Sequence, residues 1–181
     1  MIRNQIIISK KEILTKYSNL DTKIKSVIEK LYEVDTYNQE NNLTDNVNIK
    51  LFKITDDLLK NSRNNDKLKG YEDKTGVYIF MKDNIPVYIG FSGQINKTQS
   101  LYGRIVEKHF HSKEELVKKI EKIEKYLNPN VSLPNDKHQL ILEYISSIIV
   151  IDCGKKEHDN ISFAQTLEVI LIALFNSKYN G

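Results

Sequence analysis

The chain has 181 residues, 40% of them apolar, a formal net charge of +3 and a single cysteine, Cys153. That length buries one ordinary core with room for an arm, while one cysteine excludes an internal disulfide framework and no C-x-x-C or clustered Cys/His pattern points to structural zinc. The mild positive charge permits a nucleic-acid partner without requiring one, so composition does not decide the function.

In chain order, Met1 to Ile8 offers only Ile6-Ile7-Ile8 as a continuous apolar run before Lys10 and Lys11. This is too short for a signal-peptide core, and the expected compartment is a reducing cytoplasm. Residues 1 to about 60 read as helical. Ser9 with Glu12 forms a capping-box pattern, and Ile24, Val27, Ile28 and Leu31 follow Asp21 at helical spacing. Tyr37 to Asn48 is Asn-rich and reads as a loop, and Leu51, Ile54, Leu58 and Leu59 suggest a further amphipathic helix. Asn61 to Lys74 holds almost nothing to bury. The expected organisation is a helical extension over residues 1–65 and a second unit over residues 74–181.

From Gly76 the period changes. Gly76 to Phe80 and Pro86 to Gly90 are short β-prone runs around Met81-Lys82-Asp83-Asn84-Ile85, which predicts a hairpin. Tyr78 and Tyr88 share a face only under one condition. Side chains alternate along a strand, so a two-residue turn at Asp83-Asn84 would separate them unless a bulge restores the parity, whereas a three- or five-residue loop would not. A helix from about Ser100 to His109 turns Leu101, Ile105 and Val106 inward. A charged helix follows with Leu116, Ile120, Ile123 and Leu127 as its seam, and its Lys and Glu pairs read as a solvated face. After Pro129 and Pro134, His138 to Ile145 reads as another short helix. Ile148-Ile149-Val150-Ile151 reads as a central strand buried on both faces.

The last helix shows an S-x-x-Q cap at Ser162 and Gln165, and Leu167 to Phe175 is apolar apart from Glu168. A carboxylate in a helix apolar nearly all round needs a cation, a metal or donors around it. The alternative is a Glu on a narrow exposed stripe or paired with a structural Arg. The segment is too short and interrupted to span a bilayer.

Thr75-Gly76-Val77-Tyr78 and Val87-Tyr88-Ile89-Gly90 resemble the signature pair of the GIY-YIG nuclease superfamily. The first element departs only by Val77 for Ile, and the second matches letter for letter. Members of that family end with a helix bearing one metal-binding Glu, followed by an Asn in a Lys/Pro-x-Tyr/Trp-Asn setting. This chain has Glu168 and, twelve residues on, Asn180 in Lys178-Tyr179-Asn180. Leu174-Phe175-Asn176 is similar to a stretch in phage members. The family's Arg on the first helix after the hairpin corresponds to Arg104 in Leu101-Tyr102-Gly103-Arg104, a residue that in isolation would read as a surface arginine. Four residues after that Arg the family has His or Tyr, but this chain has Lys108, with His109 one position further. One residue rotates a side chain by roughly 100° on an α-helix. Either a distorted helix brings His109 to the site or Lys108 takes its place. His109 is favoured, because Lys108-His109-Phe110 keeps the family's His-Phe order.

The resemblance spans residues 74–181 and implies an α+β fold, a small three-stranded, mainly antiparallel sheet flanked by helices. It implies a DNA endonuclease of restriction or phage type, the alternatives being a structure-specific or homing-type nuclease or a catalytically silent nucleic-acid-binding module. It assigns Tyr78 to taking a proton from the attacking water, Tyr88 to holding the scissile phosphate or the water, and Arg104 to neutralising charge on the phosphate. Glu168 would hold one Mg²⁺ or Mn²⁺, Asn180 would support the metal-bearing helix, and Gly76, Gly90 and Lys108 would touch substrate. A free phenol with a pKa near 10 is a poor base at pH 7. Tyr78 therefore needs Arg104, Lys108 or His109 to lower its pKa or relay its proton. The implied partner is double-stranded DNA, with a homodimer, free or formed on DNA, as the simplest way to cut both strands. Since the family's core is complete over residues 74–181, the extension over residues 1–65 is expected to serve DNA recognition or dimerisation and the core to fold without it.

Overall fold

The computed structural model describes residues 47–93, 99–112 and 115–180, with the isolated helical positions Ser26 and Glu29. The expected capping box at Ser9 and the stripe from Ile24 to Leu31 lie outside the described residues.

The sheet has four strands, one more than the sequence reading expected, in the order β1-β4-β2-β3 and antiparallel throughout. The added strand is β1, Asn48–Lys53. Leu51 had been grouped with Ile54, Leu58 and Leu59 as one helical stripe, but Val47, Ile49 and Leu51 alternate with period two and join the same core. The helix α1, Asp56–Asn61, starts only after Thr55, whose hydroxyl accepts the Leu58 amide at 3.1 Å. A 3₁₀ turn at Ser62–Asn64 and the short α2, Asp66–Lys69, lead into the hairpin. Thus β1 and α1 lie inside the expected extension, yet one completes the sheet edge and the other buries Leu58 and Leu59 in the core.

Strand β2, Lys74–Lys82, and strand β3, Ile85–Ser92, meet at a two-residue turn. Asp83 and Asn84 both adopt positive φ, 48° and 67°, as a tight hairpin turn requires. The parity problem is solved by a bulge. Phe80 pairs with Tyr88 while Met81 pairs with Pro86, so Val87 is the extra residue. Val87 and Tyr88 then face the same core as Tyr78 and Phe80.

A π-helix, Gly103–His111, follows the hairpin, then α3, Leu116–Leu127, and α4, Lys137–Tyr144. Leu116, Val117 and Ile120 form the buried seam of α3, whereas Leu127, expected inward, is exposed beyond the last covered turn. Strand β4, Ser147–Lys155, is central as its β-branched run predicted, with Ile148 and Val150 on one face and Ile149 and Ile151 on the other.

The last helix, α5, is His158–Phe175 and begins a turn earlier than the expected cap at Ser162 and Gln165. Ser162 is instead inside the helix, where its carbonyl accepts the Thr166 hydroxyl. The helix is also not buried all round. Ile161, Ala164, Leu167 and Leu171 pack on the sheet, whereas Val169, Ile170 and Leu174 are exposed, because α5 has the sheet on one side only. Asn176 closes it in the left-handed conformation. Beyond it, the Tyr179 amide donates to Val87 O at 2.7 Å and Asn180 bonds both backbone groups of Ile89, which covers the outer edge of β3. No helix among the described residues is long and apolar enough to cross a membrane.

Candidate active site

The sheet's two faces differ in chemistry because strand alternation divides each signature tripeptide between them. Val77, Ile79 and Ile89 face α5, while Tyr78, Phe80 and Tyr88 face the π-helix and α3. Tyr78 is fully buried, and its ring centroid lies 6.3 Å from that of Tyr88. Gly90 is the direct cross-strand partner of Tyr78. A Cβ at Gly90 would sit 2.5 Å from the Tyr78 hydroxyl, so the glycine makes room for that tyrosine to lie across β3. At Gly76 a Cβ would meet the Ile151 carbonyl at 2.0 Å. Both glycines are required by close packing within the sheet.

The π-helix turns His109 toward the two tyrosines. Its i→i+5 bonding inserts one residue per turn, so the fifth residue after Arg104 comes round to the face that the fourth would occupy on an α-helix. His109 Nε2 lies 2.8 Å from the Tyr78 hydroxyl, with its ring among Tyr78, Phe80 and Tyr88. Lys108 is half-buried on another side. The helix is held by the segment before the hairpin. Arg63 makes a two-pronged ion pair with Glu107 at 3.0 and 2.6 Å, Ser62 Oγ lies 2.8 Å from His111 Nε2, and the Tyr102 amide donates to Tyr71 O.

The protonation states follow from burial. His109 is fully buried, and burial, with Arg104 and Lys119 nearby, pushes its pKa down to about 3, so the imidazole is neutral at pH 7. Burial holds the Tyr78 phenol well above its usual range, opposed by the Arg104 charge. Tyr88 is pushed up to about 12 by burial and by Glu115. Tyr78 is thus a phenol whose proton has one buried neutral nitrogen within reach.

Arg104 is the cation beside this pair. Its Nη1 donates to Gln99 Oε1 at 3.1 Å and to Glu115 Oε1 at 2.9 Å, and its Nη2 lies 2.8 Å from Glu115 Oε2. Lys119, one turn along α3 from Glu115, places Nζ 5.1 Å from the Tyr88 ring centroid. Glu115, Lys119 and Gln99 were missed in the sequence. The first two belong to a lysine- and glutamate-rich stretch read as solvated, and no local pattern separates them from their neighbours.

Glu168 projects from α5 and is half-buried. Burial raises its pKa, opposed by the Phe91 amide on β3 and by the charges of Arg104 and Lys119. Its charge bears on Tyr88 in turn. Asn180 does not join the aromatic cluster. Its side-chain amide accepts from Ile89 N at 2.7 Å and donates to Ile89 O at 2.6 Å, which fixes the β3 backbone between Tyr88 and Gly90.

Among the described residues no group of three or more His, Cys, Asp or Glu is placed to enclose a metal ion. A lone half-buried carboxylate nevertheless fits a hard divalent cation that keeps most of its water, as Mg²⁺ does. Glu168 has that character.

No family model and no curated protein matches the chain. Among solved structures it is similar to the GIY-YIG N-terminal endonuclease domain of UvrC from Thermotoga maritima, a structure with magnesium bound. The two share 23% identity over 65% of this chain and 99% of that one, with a TM-score of 0.35. In its motif pair and in the order of hairpin, arginine-bearing helix, central strand and glutamate-bearing helix, the chain resembles the GIY-YIG superfamily.

Proposed function

We propose that this chain is a DNA endonuclease of the GIY-YIG kind, of restriction or phage type, which hydrolyses phosphodiester bonds with one divalent metal ion. The observation that carries the reading is the buried hydrogen bond between Tyr78 and neutral His109, set beside Arg104, with the Glu168 charge acting on the neighbouring Tyr88. A binding module needs basic groups on its surface. It has no use for a buried phenol aimed at an imidazole.

In this reading Tyr78 passes its proton to His109 Nε2 and becomes able to accept one from the attacking water. Burial raises the pKa of the phenol, so proton transfer has to be coupled to the arrival of positive charge and substrate and cannot precede it. Arg104 is the protein cation for the charge that builds on the phosphate. Tyr88, between Arg104 and Glu168 and under the Lys119 ammonium, positions the phosphate or the water. Glu168 would hold a divalent ion such as Mg²⁺, which when bound supplies positive charge at the phosphate without needing a second carboxylate. Asn180 holds the β3 backbone that carries Tyr88. The preceding segment 1–46 is assigned to recognition of double-stranded DNA or to pairing of two copies, since one site cuts one strand at a time.

The test is plasmid cleavage under Mg²⁺ titration, with the parent chain and Glu168→Ala side by side. The parent is expected to cut only with metal, and the variant to bind DNA but leave no detectable cleavage. A variant that cuts near the parent rate at saturating Mg²⁺ makes Glu168 structural.

A further inference from the structure

An arginine on a long side chain is a useful phosphate partner only if its planar fork is held in one orientation, because its many rotamers otherwise spread the charge over several positions. The π-helix fixes where the Arg104 side chain begins, but its far end is fixed from two other elements. Gln99, ahead of the helix, takes one Nη1 hydrogen, and the Glu115 carboxylate, at the start of α3, accepts from Nη1 through Oε1 and sets Oε2 2.8 Å from Nη2 as an ion pair. Glu115 is also the charged group 3.8 Å from His109 Nε2, the atom that faces the Tyr78 hydroxyl. It therefore touches the arginine and lies close to the proton acceptor of the site without belonging to any element of the signature.

We infer that Glu115 is a positioning residue of this active site, holding Arg104 in a fixed orientation over the Tyr78–His109 pair and countering the charge that His109 gains with the tyrosine proton. This rests on the nuclease reading above. The guanidinium also hydrogen-bonds the Tyr78 hydroxyl, while Nε is buried without a partner. Arg104 is thus held by Gln99, Glu115 and Tyr78, with Nε the donor left for a substrate phosphate once the site admits it. Losing Glu115 loosens the arginine and removes the carboxylate nearest His109, where Arg104 and Lys119 already oppose a proton. Both effects oppose the proton transfer.

The same variant removes a negative charge from a surface that binds a polyanion. Positioning therefore makes an unusual prediction, that DNA binding holds or tightens while cleavage slows. The experiment compares the parent, Glu115→Gln and Glu115→Ala for melting temperature, DNA affinity and single-turnover cleavage with Mg²⁺. Glu115→Gln keeps one carbonyl acceptor for Nη1 and is expected to lose about 10-fold in rate. Glu115→Ala is expected to lose about 10²-fold, the scale of a misplaced catalytic group. Neither should bind DNA more weakly. Variants that cut faster than the parent would show that Glu115 occludes the arginine, and variants that lose binding, melting temperature and rate together would show a structural ion pair. Either result overturns the inference and leaves the nuclease reading standing. A parent chain that cuts no DNA overturns both.

Discussion

The two faces of the sheet are built from the same strands and do opposite work. On one, Val77, Ile79, Met81, Ile89 and Ile151 meet α5 through aliphatic contacts, and the buried cluster among the described residues holds no titratable side chain apart from the inert Cys153, whose thiol burial pushes up to about 12. On the other, Tyr78, Phe80 and Tyr88 lie under the π-helix and α3, and the buried set includes a histidine and two phenols with shifted proton affinities. The contrast shows where the free energy of burial is used: one face stabilises the fold by apolar contact, and the other holds polar groups away from water to alter their chemistry. The period-two alternation of a strand lets one tripeptide serve both, Val77 on the first face and Tyr78 on the second.

The largest expected effect follows from what supports the polar face. Removing residues 1–65 takes away β1, the buried Leu59 and the Ser62 and Arg63 contacts to the π-helix. The truncated chain is expected to lose its cooperative melting transition. A well-folded, actively nicking fragment starting at residue 66 would show that the polar face stands without this support.

Gly90→Ala places a Cβ against the Tyr78 hydroxyl from the β3 backbone, on the face whose geometry matters. Overpacking of this kind costs about 1–3 kcal/mol. Cleavage should fall with the stability, because the hydroxyl must move off His109. Unchanged melting with lost DNA binding would return Gly90 to the role of a substrate contact.

The proton affinity of His109 gives a smaller effect with a fixed sign. Its native pKa of about 3 lies below the unfolded value of 6.5, so below pH 6.5 the unfolded chain binds the extra proton. Stability from this group is complete above pH 6.5 and is lost as pH falls toward 3, amounting to about 2 kcal/mol at pH 5. Urea melts at pH 7 and pH 5 should show this difference in the parent, and His109→Gln should lessen it. Glu168 and Asp152, whose raised pKa values act in the other direction, are common to both chains and cancel in the comparison.

How much of this was legible depended on the range of the interaction. The tyrosine pair, the central strand and Glu168 are local patterns, and the hairpin parity even required a bulge if Asp83-Asn84 made the turn. The fourth strand was not legible because Leu51 through Leu59 satisfies a helical spacing across a strand and a helix, and only pairing with β4 divides them. His109 could be favoured only by its neighbour Phe110. The π-helix that brings it to Tyr78 is met by residues distant in the chain, Arg63 pairing with Glu107 44 positions away. Glu115 is meaningful only once α3 is folded beside Arg104, and in the chain it is one glutamate among several.

The central claim is that the polar face exists to move the Tyr78 proton. Tyr78→Phe keeps the ring and removes only the hydroxyl, so single-turnover cleavage of DNA with Mg²⁺, measured beside DNA affinity, tests it most directly. The expected result is a loss of about 10²–10⁴-fold in rate with affinity unchanged. A Tyr78→Phe chain that cuts at the parent rate, above all if Tyr88→Phe is inactive, would contradict it and move the proton chemistry to Tyr88.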